Sequence, residues 1–248
     1  MHITPSIIVS IGKVVLPKSN RAAIHGGDCL LDKYNRIVKL FKNYPEVLYG
    51  FTDIHFSDYK SKYRGALIFA IPHSKMLTLR TYDEQLFEDL IVEARSIGEF
   101  IQKEIEAILQ EHDCAYESPP MAQTDEDTLV APLSFKYTAV NARLGWIGKS
   151  GVLITEKYGP RVRLFAILIN FDFPVSSPIL NSKCPKECFE CVNACPYKVL
   201  KGKQWDIYTK RYEIIDYLLC NQKRKLYIKS HNRKHSCGFC MVACPRGV

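Results

Sequence analysis

Eight of the ten cysteines in this chain crowd into its last third, and seven of those fall into two closely spaced runs. The first run is Cys184-Pro185-Lys186-Glu187-Cys188-Phe189-Glu190-Cys191-Val192-Asn193-Ala194-Cys195-Pro196. The second is Cys237-Gly238-Phe239-Cys240-Met241-Val242-Ala243-Cys244-Pro245, and Cys220 stands between them. Thiolates at this spacing let one tight loop present three ligands around an iron–sulfur cube. Where two clusters are present, the cysteine before proline ligates the other one. The spacing therefore assigns Cys184, Cys188, Cys191 and Cys244 to one [4Fe–4S] cluster, and Cys195, Cys220, Cys237 and Cys240 to a second. Three residues rather than two separate Cys184 from Cys188, which widens that loop, and Pro185 stiffens it. Two structural zinc sites or a disulfide framework are the alternatives. Zinc has no need of a Cys-x-x-x-Cys-Pro ending twice. The N-terminus lacks the apolar run and small-residue cleavage site of a secretory signal.

A chain of 248 residues can form one large domain or two and bury a substantial core. Its 47% hydrophobic and 24% charged residues are an ordinary globular composition. No apolar stretch reaches the roughly 18–20 residues of a membrane span, so a cytoplasmic location is expected. There the cysteines serve metal binding, with Cys29 and Cys114 left as core or surface residues. The net charge is +8, and residues 198–235 hold that whole excess, with eleven Lys or Arg against Asp206, Glu213 and Asp216. Trp205, Tyr208, Tyr212, Tyr217 and Tyr227 are interleaved with them. Such a stretch can grip phosphates and stack bases, or it can simply offset the charge of two clusters.

Short β-like pieces at residues 7–9 and 14–16 open the chain, followed by a turn at Gly26-Gly27 and a helix over residues 30–41. Residues 65–71 (GALIFAI) form a continuous apolar run, expected as a central strand buried on both faces. His73 and Ser74 follow at the strand end where α/β proteins place ligands, although a lone histidine there is more often structural. Leu86, Leu90, Ala94, Ile97, Ile101, Ile105 and Ile108 recur at steps of three and four, which predicts a core-facing helix over residues 83–112. A helix over residues 133–143 then leads into Leu144-Gly145-Trp146-Ile147-Gly148-Lys149-Ser150-Gly151. Glycine at every third position lets backbone approach a bulky ligand closely. Lys149 there could meet a phosphate or an amide oxygen, while a tight packing turn is the other reading. Strands at 152–155 and 161–170 follow, and Pro174-Val175-Ser176-Ser177-Pro178 is the expected hinge to the cysteine-rich part.

Taken together, Ala142-Arg143-Leu144-Gly145-Trp146-Ile147-Gly148-Lys149, a strand, Tyr158-Gly159-Pro160-Arg161-Val162-Arg163-Leu164 and the two cysteine runs resemble the epoxyqueuosine reductases. Those are cobalamin-dependent iron–sulfur enzymes related to reductive dehalogenases. The resemblance is sharp over residues 129–244 and extends only to element order over 60–128. It implies an α+β chain, with a nitroreductase-like α/β cobalamin-binding domain over residues 1–174. A ferredoxin-like module with two [4Fe–4S] clusters over 175–248 follows.

The resemblance also implies base-off cobalamin lined by Gly145, Trp146, Gly148 and Lys149, with Leu153 and Leu164 behind them. The implied reaction is reductive removal of an epoxide oxygen to complete queuosine in tRNA, or reduction of a related electrophile. Electrons would come from an outside ferredoxin or flavodoxin. The family usually places a proton-donating aspartate about 17 residues before the motif tryptophan; here that position is Leu129, although Pro132 fits the pattern. Asp125 and Asp127 stand close by, and Lys136 and Tyr137 are further proton sources, so Asp127 and Tyr137 become the candidate catalytic residues. Family members continue into a helical-repeat domain that helps hold tRNA, so this chain, ending at Val248, is expected to be a short member. The rival readings are a ferredoxin-like electron carrier without catalysis of its own and a flavin reductase holding FMN. Trp146 and its glycines separate them, since a simple carrier needs no ligand-shaped loop.

Overall fold

The computed structural model describes residues 27–120, 129–230 and 237–248. The expected pieces at 7–9 and 14–16, Gly26, Asp125, Asp127 and the side chain of Cys29 lie outside the described residues. Helix α1 (Gly27–Phe41) leads through strands β1 (Leu48–Asp53) and β2 (Gly65–Pro72) into the long helix α2 (Glu84–Glu111). Strand β3 (Tyr116–Glu117), helix α3 (Phe135–Asn141), the β4 (Trp146–Ile147) and β5 (Leu153–Ile154) pair and strand β6 (Val162–Ile169) complete the sheet part. The cysteine-rich part holds the short helices α4 (Glu190–Asn193) and α5 (Arg211–Ile214), then α6 (Tyr217–Ser230) and the single turn α7 (Phe239–Val242).

The main sheet has four strands in the order β1-β2-β6-β3, and every pairing in it is antiparallel. Strand β2 is central and buried along nearly its whole length, as its unbroken apolar run requires. Alternation divides its side chains between two layers. Leu67, Phe69 and Ile71, with Phe165, Ile167 and Ile169 of β6, meet Ile37 and Phe41 of α1 and Ala94, Ile101 and Ile105 of α2. Ala66, Ile68, Ala166 and Leu168 face the other way, against Val140, Trp146, Ile147, Leu153 and Ile154. Helices cover one face and the α3, β4 and β5 layer covers the other. Hence the strands read as a continuous run even though they are not parallel.

Asp83 starts α2 by accepting the Leu86 N–H at 2.7 Å, which satisfies an otherwise orphaned donor of the first turn. Gly98 lets that helix lie directly on the sheet, since a Cβ there would come within 2.0 Å of the Phe165 ring. Gly27, the described half of the expected Gly26-Gly27 turn, lies in α1. Strand β1 carries no clear apolar alternation. It exists because β2 offers it six paired positions from Leu48↔Ala70 to Asp53↔Gly65.

The second core does not stop at the proline-flanked segment 174–178. Trp205, Ile214 and Ile215, with the half-buried Cys184 and Cys244, join the sheet residues there. Trp205 is 4% exposed and packs in this core, so it is not available to stack a base. His73 is buried, with its ring edge-on to Phe87 and its backbone N–H bonded to Arg161 O, which is a packing role. No described helix is long and apolar enough to cross a membrane.

Candidate functional site

Four of the thiols share one cavity. Cys184, Cys188, Cys191 and Cys244 line one small cavity together with Gly148, Lys149, Ser150, Ile154 and Pro245. Burial pushes the Cys191 thiol up to about 12, and the thiols that add to this are Cys244, Cys184 and Cys188. The second set forms its own neighbourhood: Cys220 is raised by burial and then by Cys237, with Cys195 also contributing. Cys240, raised by burial first, feels Cys237, Cys220, Cys191 and Cys195, so the two sets adjoin each other. No disulfide joins any of the nine cysteines whose side chains are described.

One-turn helices explain the crossing. Cys191 lies in α4 and Cys240 in α7, and these two turns pack against each other. The last cysteine of each run stands four residues further on, about 6 Å of helical rise, which carries it away from its own loop toward the other set. Gly238 opens α7 with φ +77°, a conformation costly for any residue with a Cβ, and a Cβ there would also strike Phe87 at 2.4 Å.

The glycine-rich segment before β5 is built into this arrangement. A Cβ at Gly145 would lie 2.2 Å from Ile154 O, and one at Gly148 would lie 2.7 Å from the Ile154 side chain and 3.5 Å from Cys184 Sγ. Gly151 turns with φ +72°. Lys149 is 3% exposed and donates to Pro185 O at 3.0 Å, Lys186 O at 2.7 Å and Cys188 O at 3.0 Å. Its ammonium also stands 4.1 Å from the centre of the Phe189 ring. In this structure Lys149 thus holds the first cysteine loop. Its sequence offered no way to tell a loop clamp from a ligand contact.

Beside this loop opens a cleft of about 440 Å³. Its apolar wall comprises Val47, Leu48, Tyr49, Leu144, Gly145, Trp146 and Ile179, and Arg143, Glu156, Lys157 and Lys183 bring charge to it. Trp146 is fully buried under two cations, Lys183 at 5.3 Å and Arg246 at 5.9 Å from its ring centre. Its indole Nε1 has no hydrogen-bond acceptor among the described residues. Leu153 and Leu164 pack in the second core behind this wall.

Tyr137 sits half-buried on α3 with its ring edge-on to Phe56 at 4.8 Å, and burial raises its phenol above the ordinary range. Lys136 donates to Gly151 O at 2.7 Å, and burial, with Arg211 next, lowers it to about 8. Leu129 is 5% exposed with φ +55°, an uncommon backbone state for leucine, and its carbonyl accepts a hydrogen bond from Arg211 at 2.8 Å. Sequence reasoning missed Arg161, which is 1% exposed and donates to the carbonyls of Leu77, Val242, Cys244 and Arg246. Only its place in the Tyr158–Leu164 motif hinted at a role.

A protein of Listeria monocytogenes named epoxyqueuosine reductase is 34% identical over 120 residues, covering 46% of this chain and 29% of that protein. Over that stretch the chain is similar to the epoxyqueuosine reductases. No family model matches it. In three dimensions it is similar to an epoxyqueuosine reductase solved with an epoxyqueuosine-modified tRNA-Tyr stem loop, with TM-score 0.54 and 19% identity over 88% of this chain and 66% of that one. It is also similar to a reductive dehalogenase described for B12-dependent dehalogenation, with TM-score 0.56 and 15% identity over 84% of this chain and 31% of that one. The mixed helix–sheet fold is thus that of epoxyqueuosine reductases and reductive dehalogenases. The sequence match spans less than a third of its Listeria relative.

Proposed function

We propose that this chain is an iron–sulfur, corrinoid-dependent reductase of the epoxyqueuosine reductase type, acting on an epoxide in queuosine-type tRNA or on a related electrophilic substrate. The observation that carries this reading is the convergence of three thiols from one run and the fourth from the other on a single cavity, directly against the glycine-rich segment that borders the cleft. A cube spreads four thiolates over its corners, whereas zinc draws its ligands to one centre. Among the described residues no three His, Cys, Asp or Glu groups converge closely enough to hold one ion.

Cys184, Cys188, Cys191 and Cys244 would hold the first [4Fe–4S] cluster, and Cys195, Cys220, Cys237 and Cys240 the second. In this reading residues 1–174 form a nitroreductase-like corrinoid domain and 175–248 a ferredoxin-like module. The donor chemistry fits, since all eight side chains are thiols grouped by four. The cleft also fits a corrinoid: its apolar wall, with the buried Trp146 indole, suits a large ring, and Arg143, Lys157 and Lys183 suit its amide and phosphate arms. Gly145, Trp146, Gly148 and Lys149, with Leu153 and Leu164 behind, would shape that site. When bound, these groups supply single electrons and a reduced, strongly nucleophilic cobalt.

The chain itself orients the substrate, keeps water from the buried loop and delivers a proton. Tyr137 is a phenol, protonated at neutral pH as phenols are, and burial raises it further; we assign it as the proton source together with Asp127. An external ferredoxin or flavodoxin would supply the electrons. Anaerobic reconstitution should yield about eight irons per chain and an added cobalamin should bind base-off. Stoichiometric zinc without iron would sink the cluster reading. Tight FMN binding without cobalamin affinity would replace the corrinoid with a flavin.

A further inference from the structure

Two buried cations of the sheet part, Lys149 and Arg161, grip the loops of the first cysteine set. They expose only 3% and 1% of their surface, respectively. Lys149 Nζ bonds three carbonyls of the first run, at Pro185, Lys186 and Cys188. Arg161 bonds two carbonyls of the second run, Val242 at 3.2 Å and Cys244 at 2.8 Å, one just past it at Arg246 at 2.8 Å, and a fourth at Leu77 at 2.7 Å. Neither has a carboxylate hydrogen-bond partner among the described residues. Burying a cation without a counter-ion is costly, and neutral carbonyl dipoles offset only part of that cost.

The place both cations reach is the same one. Cys188 belongs to the loop under Lys149, and Cys244 to the turn under Arg161, and both thiols line the first cavity. A [4Fe–4S] cluster on four thiolates carries net negative charge, which is the missing counter-charge. Cluster potentials respond to net charge and hydrogen bonding, and a charge acts strongly across a dry interior.

We propose that Lys149 and Arg161 are positioning residues that seat the first cluster against the sheet and, as its buried counter-charges, raise its reduction potential. This rests on the iron–sulfur reading above. It deepens that reading by assigning Arg161 to the first cluster and by giving Lys149, beside the corrinoid site, a second role there. The second set is served differently: Lys136 donates to Gly151 O, and Arg211 is exposed and turned onto Leu129 O and the Tyr217 ring.

The test is an anaerobic redox titration of reconstituted protein followed by electron paramagnetic resonance, with the first cluster's wave assigned through Cys188→Ser. In Lys149→Gln and Arg161→Gln that wave should shift to lower potential while the other stays in place. Arg161→Lys, which keeps the charge and loses part of the hydrogen-bond fork, should hold the wild-type potential. Unmoved potentials in both glutamine variants overturn the proposal, as does an equal shift of both waves. If a glutamine variant binds no iron at the first set, Arg161→Lys decides. Iron at the wild-type potential supports the counter-charge role, and loss of iron there too overturns it. Wild-type protein that takes up zinc and no iron rejects the parent reading instead, so the two failures are distinguishable.

Discussion

Gly98 lies where α2 crosses Phe165, and a methyl added to it would come within 2.0 Å of that ring, which leaves no room for one. Alanine improves helix propensity by about 1 kcal/mol, but this overlap is with a buried ring on the central sheet, and overpacking costs typically about 1–3 kcal/mol. Gly98→Ala should therefore lower the unfolding midpoint in a denaturant titration while leaving iron content per folded chain unchanged. At the cysteines the expectation is selective. Cys244→Ser should damage the cluster built on Cys184, Cys188 and Cys191, although Cys240 is nearer in sequence, because Cys244 lines their cavity. Spectra of the remaining cluster would check this, and loss of the other cluster would reverse the cross-assignment. Gly148 is not a clean probe of the corrinoid, since a side chain there reaches both Ile154 and Cys184.

At the scale of elements, α6 is the one whose role sequence composition left open. It bears Lys223, Lys225 and Lys229 on exposed positions and has no acidic residue. Several cations of the basic stretch have partners within the chain: Lys203 with Glu213, Lys198 with Asn193 O, and Arg211 with Leu129 O. Of the aromatics, Tyr208 is 88% exposed and Tyr212 is 55% exposed, whereas Trp205 is core. The field available to a phosphate backbone is therefore narrower than the charge count implies. Filter binding of tRNA should show weak retention that falls roughly tenfold or more between low and physiological salt. Neutralising Lys223, Arg224 and Lys225 together should flatten that slope without changing cluster content. Equal retention by wild type and triple variant would remove α6 from any RNA contact.

For the whole molecule, acid stability carries a readable signature. Burial, then Arg163 and Arg161, hold the His73 imidazole down to about 3, and its Nε2 has no partner among the described residues. The unfolded chain binds a proton near pH 6.5 that the folded chain refuses, so this contribution is complete above that pH and is lost progressively as pH falls toward about 3. The loss should amount to a few kcal/mol over that window. A His73→Leu variant followed by urea titration should show a flatter stability profile between pH 6 and 4 than wild type, and an unchanged slope would count against a buried neutral histidine.

What the sequence determined by itself is what depends on short-range spacing. The two thiol sets follow from loop and one-turn helix geometry, α2 from its three-and-four periodicity, and β2 and β6 from unbroken apolar runs. Tertiary structure decided whatever depends on partners distant in the chain. Strand β1, weak in pattern and interrupted by Gly50, forms because β2 supplies its ladder, and Gly50 is needed because a Cβ would meet Ala142 O at 2.8 Å. The antiparallel order could not be read from runs that are apolar on both faces. Trp205 looks like a surface aromatic among lysines until the second core closes over it. Lys149 and Arg161 are long, flexible cations whose sequence neighbours do not say where their donors end. Their carbonyl partners lie 36 to 39 and 81 to 85 residues away, and only folding brings those distances to about 3 Å.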